Sequence, residues 1–329
     1  MSFFAVLLAL VIEQLKPLPR NNWVYPALLG WLGWTARNLD AGRQRHAWVV
    51  WGVAMGVPCL AVLVVFLALE HWSLVLALLF DVAVLYLTLG FRQFSHYFTD
   101  IRAALDGGDE REARRLLAEW KCIDASDLPR TELLRQVIEH ALLAAHRHVF
   151  GVFFWFVLLS SLGLGPTGAV LYRLAVFAAR HWSTPERNLD APTNPLLMAV
   201  ANQLFYWIDL VPSRLTAFGF AVVGNFEEAI NAWRRDAALW LQPNDGVILA
   251  SASGAVGVRL GGGDAIPGAG DKANGIDTGL GDLGSGDTAA SAGQLPQAAH
   301  LLSVVGLVWR SVVLWMLLVA LLTLANLVG

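Results

Sequence analysis

Ionisable and amide side chains are scarce along this chain, so the few that interrupt its apolar runs mark where chemistry could occur. Asp209 and Arg214 sit in WIDLVPSRLT, in the middle of an apolar stretch over residues 196–224. Ionised groups at membrane depth cost roughly 2.5–3.5 kcal/mol each on insertion scales and are usually paired or functional. Two readings stay open for this pair, a ligand site and an anchor at headgroup level. Asp81, inside a second apolar run, poses the same choice between function and a buried hydrogen bond to a neighbouring helix. Asn244, Asp245, Gly254, Gly257 and Arg259 fall in PNDGVILASASGAVGVRLGGG. There the guanidinium suits an anionic group, and the glycines allow close backbone approach to a ligand or to another helix. With Asp209 and Arg214, these five make up the candidate ligand-binding set.

Two further patterns carry less. His146 and His148 are two residues apart, which on a helix points them to opposite sides, whereas a metal needs converging ligands. With Arg147 they read as a basic anchor at the membrane surface, and no metal site is assigned. Residues 163–168 spell GxGxxG, but a dinucleotide fingerprint needs a strand before it and a helix after it. Here it lies inside an apolar run.

The element that must position these groups is the stretch over residues 131–180. TELLRQVIEHALLAAHRH places Leu133, Leu134, Val137, Ile138, Ala141 and Leu142 at helical spacing, with Arg135, Glu139, His146 and Arg147 toward the other side. It continues into VFGVFFWFVLLSSLGLGP and then TGAVLYRLAVFAAR. The apolar part is longer than the roughly 20 residues that cross a bilayer as one helix. Gly163, Gly165 and Pro166 predict a break within it.

The rest of the chain divides by composition. Residues 1–90 hold an N-terminal apolar segment, read as retained rather than as a cleaved signal, and an apolar hairpin. That hairpin has arms over 47–69 and 72–90, a minimal turn at Glu70 and His71, and basic flanks that the positive-inside rule puts in the cytoplasm. Residues 91–148 read as a cytosolic helical excursion, with Asp109 and Glu112 at a capping-box-like start. Residues 149–262 form a core of broken membrane helices, in which 196–224 is expected to make a re-entrant pair or a core hairpin rather than two spans. Residues 263–297 are a Gly, Asp, Ala and Ser tract that reads as a flexible loop, and residues 298–329 supply a final span. The fold class is therefore all-α, a polytopic helical membrane protein.

Composition agrees. Hydrophobic residues make up 56% and charged residues 15% of the 329, against roughly 25% charged in soluble domains. A net charge of -3 argues against a nucleic-acid partner, which calls for a basic face. The lipid bilayer is the implied partner. Cys59 and Cys122 imply no disulfide framework.

With these runs in place, the chain resembles the CobD/CbiB family of integral membrane proteins. PN at 243–244 followed by GAVGVRLGG resembles the family's PN pair and GALGVQLGG-like run. WIDLVPSRLTAF resembles its LPARL segment, and GPTGAVLYR its GAPLAMAY segment. The resemblance implies a bacterial inner-membrane, multi-pass protein related to adenosylcobinamide-phosphate synthase, which joins an aminopropanol linker to adenosylcobyric acid. It implies ATP and Mg²⁺ as cofactors, and a corrinoid and an aminopropanol donor as partners. Glu139 keeps the first acid of the family's central helix and is the implied catalytic residue. Other expected acids read Leu143, His146-Arg147-His148, Phe205-Tyr206 and Leu249, and the N-terminal GDP-x-x-HP signature is absent. These departures predict a divergent site with weak or absent turnover. The opening MSFFAVLLALVIEQL also resembles AmpE, a branch of the same superfamily linked to β-lactamase induction, which implies a non-catalytic signalling role as the alternative.

Overall fold

The structure, a computed structural model, describes residues 2–16, 24–40, 42–121, 123–183, 194–261 and 293–328. The proposed loop over 263–297 falls outside these except for its last residues, as do Arg20, Cys122 and the middle of the turn-rich connection after Arg180. Apart from a single bridge between Val258 and Gln294, the regular structure of the described residues is helical. The all-α expectation holds. Among the described residues, three helices are long and apolar enough to cross a membrane: Gln44–Trp72, Arg130–Ser161 and Ala298–Ala325.

The chain folds into two compact units that do not follow its order: Met1–Gln93 with Arg147–Pro212 and Met316–Gly329, and Phe94–His146 with Ser213–Trp315.

The first unit contains α1 (Ser2–Leu15), α2 (Val24–Leu39), α3 (Gln44–Trp72) and α4 (Leu74–Thr88). The hairpin between α3 and α4 is present, but the turn lies one step later than the sequence suggests. Glu70 and His71 stay helical, and Ser73 alone is extended, its hydroxyl accepting from the Val75 amide at 3.3 Å. The second arm has 15 residues, short of the roughly 20 that span a bilayer upright. Val57, Leu60, Val64 and Leu79 point outward from the hairpin, as lipid-facing residues would. Inside, Leu32, Val50, Met55, Leu174, Trp182 and Leu197 form a core between α2, α3 and the two later helices Thr167–Ser183 and Pro195–Val223.

The predicted break over 163–166 is observed. α8 (Gly151–Ser161) ends where Gly163 and Gly165 take positive φ values of 77° and 55°, and α9 (Thr167–Ser183) begins directly after Pro166. The Leu164 amide returns to the Leu159 carbonyl at 2.9 Å, and the Thr167 hydroxyl donates to the Leu164 carbonyl at 2.7 Å. The turn thereby satisfies its own backbone, as burial in an apolar medium requires.

The stretch over 196–224 corrects the sequence reading. It is neither a re-entrant pair nor a hairpin but one helix, α10 (Pro195–Val223), with Pro212 inside it. Proline removes the amide that would bond four residues back, here to Ile208. The indole of Trp155 donates to that carbonyl instead, at 3.1 Å. α3 shows the same arrangement. Pro58 leaves Ala54 without its helical donor, and the Trp31 indole fills the place at 3.1 Å.

The second unit contains α5 (Phe91–Asp106), α6 (Glu110–Lys121), α7 (Arg130–Ala145), the end of α10, α11 (Phe226–Asp236), α12 (Pro243–Val256) and most of α13 (Ala298–Val328). Asp109 caps α6 as expected, accepting from the Glu112 amide at 3.0 Å. The Glu112 carboxylate does not return to Asp109 to close the capping box but takes Arg115. A π turn over His146–Phe150 continues α7 into α8. The predicted apolar face of α7 is buried throughout, and so, against expectation, are Arg135, Glu139 and His146.

Candidate functional site

The buried polar side of α7 works as a chain of charges. Arg135 donates to Glu132 through Nε at 2.8 Å and also through Nη2, and to Glu139 Oε1 through Nη1 at 2.9 Å. Helical spacings of three and four residues bring these side chains together. Arg135 and Glu139 expose only 8% and 7% of their side chains, and charges so buried persist only when paired and hydrogen-bonded. Glu139 Oε1 also accepts from the backbone amide of Gly261 at 2.7 Å. This ties α7 to the end of the run over 243–261.

That run begins with a helix the sequence specifies well. Pro243 occupies the first turn, where a missing amide costs nothing, and Gly257 ends α12 in the left-handed conformation at φ 74°. The amides of Gly257 and Val258 both return to the Ser253 carbonyl, at 2.8 and 3.1 Å, a C-cap that glycine favours. Gly254 has a different role: a Cβ there would collide with the backbone of Glu228 and Ala229, so it lets α11 and α12 touch. Of the two openings the sequence left for these glycines, the structure thus shows helix contact for Gly254, and it shows a cap for Gly257.

Arg214 and Asn244 do come together. Arg214 Nη1 donates to Asn244 Oδ1 at 2.5 Å and to Ser213 Oγ at 3.0 Å. Asn244 is buried, and Asp245 beside it is half-buried. The Ser251 hydroxyl donates to the Ala217 carbonyl at 2.7 Å and fastens α12 to this end of α10. Arg259 is half-buried, and its amide donates to the Gln294 carbonyl at 2.7 Å. The second unit therefore holds Glu139, Arg214, Asn244, Asp245 and Arg259 on α7, α10, α12 and the turn after α12. These residues offer two guanidiniums, an amide and two carboxylates, chemistry suited to anionic and amide-bearing substrates, and of them Arg214 and Asn244 are joined directly.

Asp209 belongs to the first unit. It is fully buried and accepts from the Tyr172 hydroxyl at 2.7 Å. The Tyr172 ring lies against Gly151, where any Cβ would strike it. Sequence reasoning passed over Tyr172, although it is the tyrosine of the GPTGAVLYR run. It also passed over the hydrogen bond between His146 Nδ1 and Thr216 Oγ1, 2.9 Å long. His146 is fully buried, which corrects its reading as a surface anchor. The other histidines lie elsewhere: His140 meets Trp120 edge-on at 4.5 Å, and His148 packs against Gly90.

Among the described residues no three His, Cys, Asp or Glu side chains converge as a metal cage would require. Mg²⁺ on a nucleotide asks for less, one or two carboxylates beside the phosphates. The other expected acid positions carry no carboxylate here: 146–148 are basic, and others are apolar. Leu249 is in the core of α12, and Phe205 lies 6.3 Å from the Tyr172 ring.

Comparison with known proteins extends the likeness over 96% of the chain. The family model described as CobD/Cbib protein matches residues 3–182. A cobalamin biosynthesis protein CobD from Stutzerimonas stutzeri is 31% identical over 322 residues, covering 96% of each chain. One from Chromobacterium violaceum is 32% identical over 220 residues, 65% of this chain and 67% of its own. A third, from Desulfotalea psychrophila, is 26% identical over 168 residues, 48% of this chain and 51% of its own. No solved structure matches. Nothing in these matches supports the AmpE-like branch or an inactive site. A relative aligned over 96% of both chains, together with a family model over more than half the residues, leaves one assignment: this chain belongs to the CobD/CbiB family.

Proposed function

We propose that this protein acts in cobalamin biosynthesis as a multi-pass protein of the bacterial inner membrane, forming the amide between a corrinoid carboxyl and an aminopropanol donor. The observation that carries this reading is the 31% identity to a cobalamin biosynthesis protein over 96% of both chains. Part-length likeness could reflect a shared membrane fold alone, but this match takes in the α12 run as well. The second unit supplies groups of suitable chemistry. Arg214 and Arg259 would receive the anionic parts of the substrates, and Asn244, held by Arg214, would orient an amide or hydroxyl.

ATP and Mg²⁺ fit this set in a limited way. Asp245 is the carboxylate beside the Arg214–Asn244 pair, and the two guanidiniums suit phosphate. When bound, ATP would drive loss of the carboxyl oxygen, with Mg²⁺ screening its phosphates. The protein's own part is to hold the carboxyl and the amine together and away from water.

The test is genetic. A cell lacking its own synthase, given this gene, should grow on cobyric acid, and Arg214→Ala should abolish that growth while leaving the protein in the membrane. Failure of the parent gene, with the protein present in the membrane, would overturn the reading.

A further inference from the structure

Glu139 is the residue that family resemblance makes a catalytic acid, yet its surroundings give it other work. We propose that Glu139 is a positioning residue, which pins the turn after α12 through Gly261 and so fixes the direction of Arg259. The proposal rests on the synthase reading only where activity is measured.

The geometry is specific about one atom. Oε1 of Glu139 accepts from both Arg135 Nη1 and the Gly261 amide, at 2.9 and 2.7 Å. A carboxylate oxygen has two lone pairs in its plane, and both directions are taken. Oε1 is thereby committed to holding these two donors, and the positioning role needs no proton transfer or metal on it. Without it, the buried amide of Gly261 would lose its acceptor, and a buried donor without one is costly. Gly261 has φ 92°, so this turn can hardly be rebuilt around another residue.

The same turn is held a second time. The Arg259 amide donates to the Gln294 carbonyl at 2.7 Å, and the Gln294 amide to the Gly257 carbonyl at 3.0 Å. A Cβ on Gly293 would meet the backbone of Val258 at 2.8 Å and of Arg259 at 2.9 Å, so the two segments lie in direct contact. Arg259 thus stands between two ties, the bridge to Gln294 on one side and Glu139 through Gly261 on the other. Loss of the Glu139 tie frees the residue immediately after Leu260 and lets Arg259 turn. Arg135 has its place in this scheme: it neutralises a carboxylate that must be buried to reach Gly261, and it is itself held by Glu132.

The conservative variant separates positioning from chemistry. Glu139→Gln keeps an Oε1 that accepts both hydrogen bonds but cannot act as a base and offers a metal no negative charge, whereas Glu139→Ala removes both bonds. Two readouts on the full chain, solubilised in detergent, suffice: trypsin cleavage after Arg259 followed by mass spectrometry, and amide formation from cobyric acid. Glu139→Gln should match the parent in cleavage and stay within about threefold of it in turnover, since only the charge of the acceptor is lost. Glu139→Ala should be cut after Arg259 about tenfold faster or more, and should lose turnover by a similar factor, as expected when a buried donor loses its partner. The proposal is overturned if Glu139→Gln loses turnover as fully as Glu139→Ala while its cleavage stays like the parent's. It is equally overturned if Glu139→Ala leaves cleavage unchanged. Should the parent itself show no turnover, the synthase reading fails, and cleavage alone still decides the role of Glu139.

Discussion

The indole of Trp155 donates to the carbonyl of Ile208 at 3.1 Å, in the place that Pro212 leaves empty. The pairing of Trp31 with Ala54, at the same distance, does this for Pro58. In an apolar surrounding a backbone carbonyl without a donor is expensive, so a proline inside a membrane helix needs such a partner. These two tryptophans let α3 and α10 run on through their prolines.

The relationship predicts coupling. Trp155→Phe should lower stability by about 1–2 kcal/mol, from the lost hydrogen bond and some lost packing. In a Pro212→Ala background Ile208 regains a helical donor, and the hydrogen-bond part of that cost should vanish. A double-mutant cycle on thermal unfolding in detergent should give a coupling of at least about 0.5 kcal/mol. Additive effects would show that the indole contributes packing alone.

Much of the architecture was legible because it rests on local signals. The apolar spacing of Leu133, Leu134, Val137 and Ile138 placed the face of α7, and Gly163 with Pro166 placed the break between α8 and α9. The N-cap at Asp109 followed from residue type. What escaped depends on partners far away in the chain. Nothing near Glu139 announces that Gly261 will take its carboxylate, so a buried charge looked like part of a polar face. Nothing near Pro212 announces Trp155, so one helix looked like two. Of the candidate site, the pairing of Arg214 with Asn244 could be guessed only as membership of one set. Tyr172 as the partner of Asp209 could have been reached by asking which hydroxyl in the neighbouring GPTGAVLYR run might satisfy a buried acid.

The glycines of the α12 run give an ordered pair of effects. Gly254→Ala forces a methyl group into the backbone of Glu228 and Ala229, where neither side can swing away. Overpacking of this kind costs about 1–3 kcal/mol or more. Gly257→Ala meets nothing within 4 Å, so its penalty is the positive φ alone, about 1 kcal/mol. Thermal unfolding should therefore rank Gly254→Ala as the more damaging. A reversed order would mean that α11 can shift away from α12.

The hairpin of the first unit makes its own prediction about sidedness. Arg43 precedes α3, and Arg45, also basic, lies in its first turn, both exposed. At the other end Trp72 is 82% exposed beside the turn at Ser73. Basic residues flanking a span are retained in the cytoplasm, and a helix of 29 residues is about 43 Å long at 1.5 Å per residue, enough to cross the hydrocarbon core. Its two ends should then face opposite sides of the bilayer. In a chain lacking Cys59 and Cys122, a cysteine replacing Trp72 should react with an impermeant maleimide in intact cells, and one replacing Arg43 should react only after permeabilisation. α4 has the fewer residues and must reach back either by thinning the bilayer locally or by ending at the interface. Rapid labelling at Arg43 in intact cells would reverse the assigned orientation, and labelling at both positions would mean that α3 does not span.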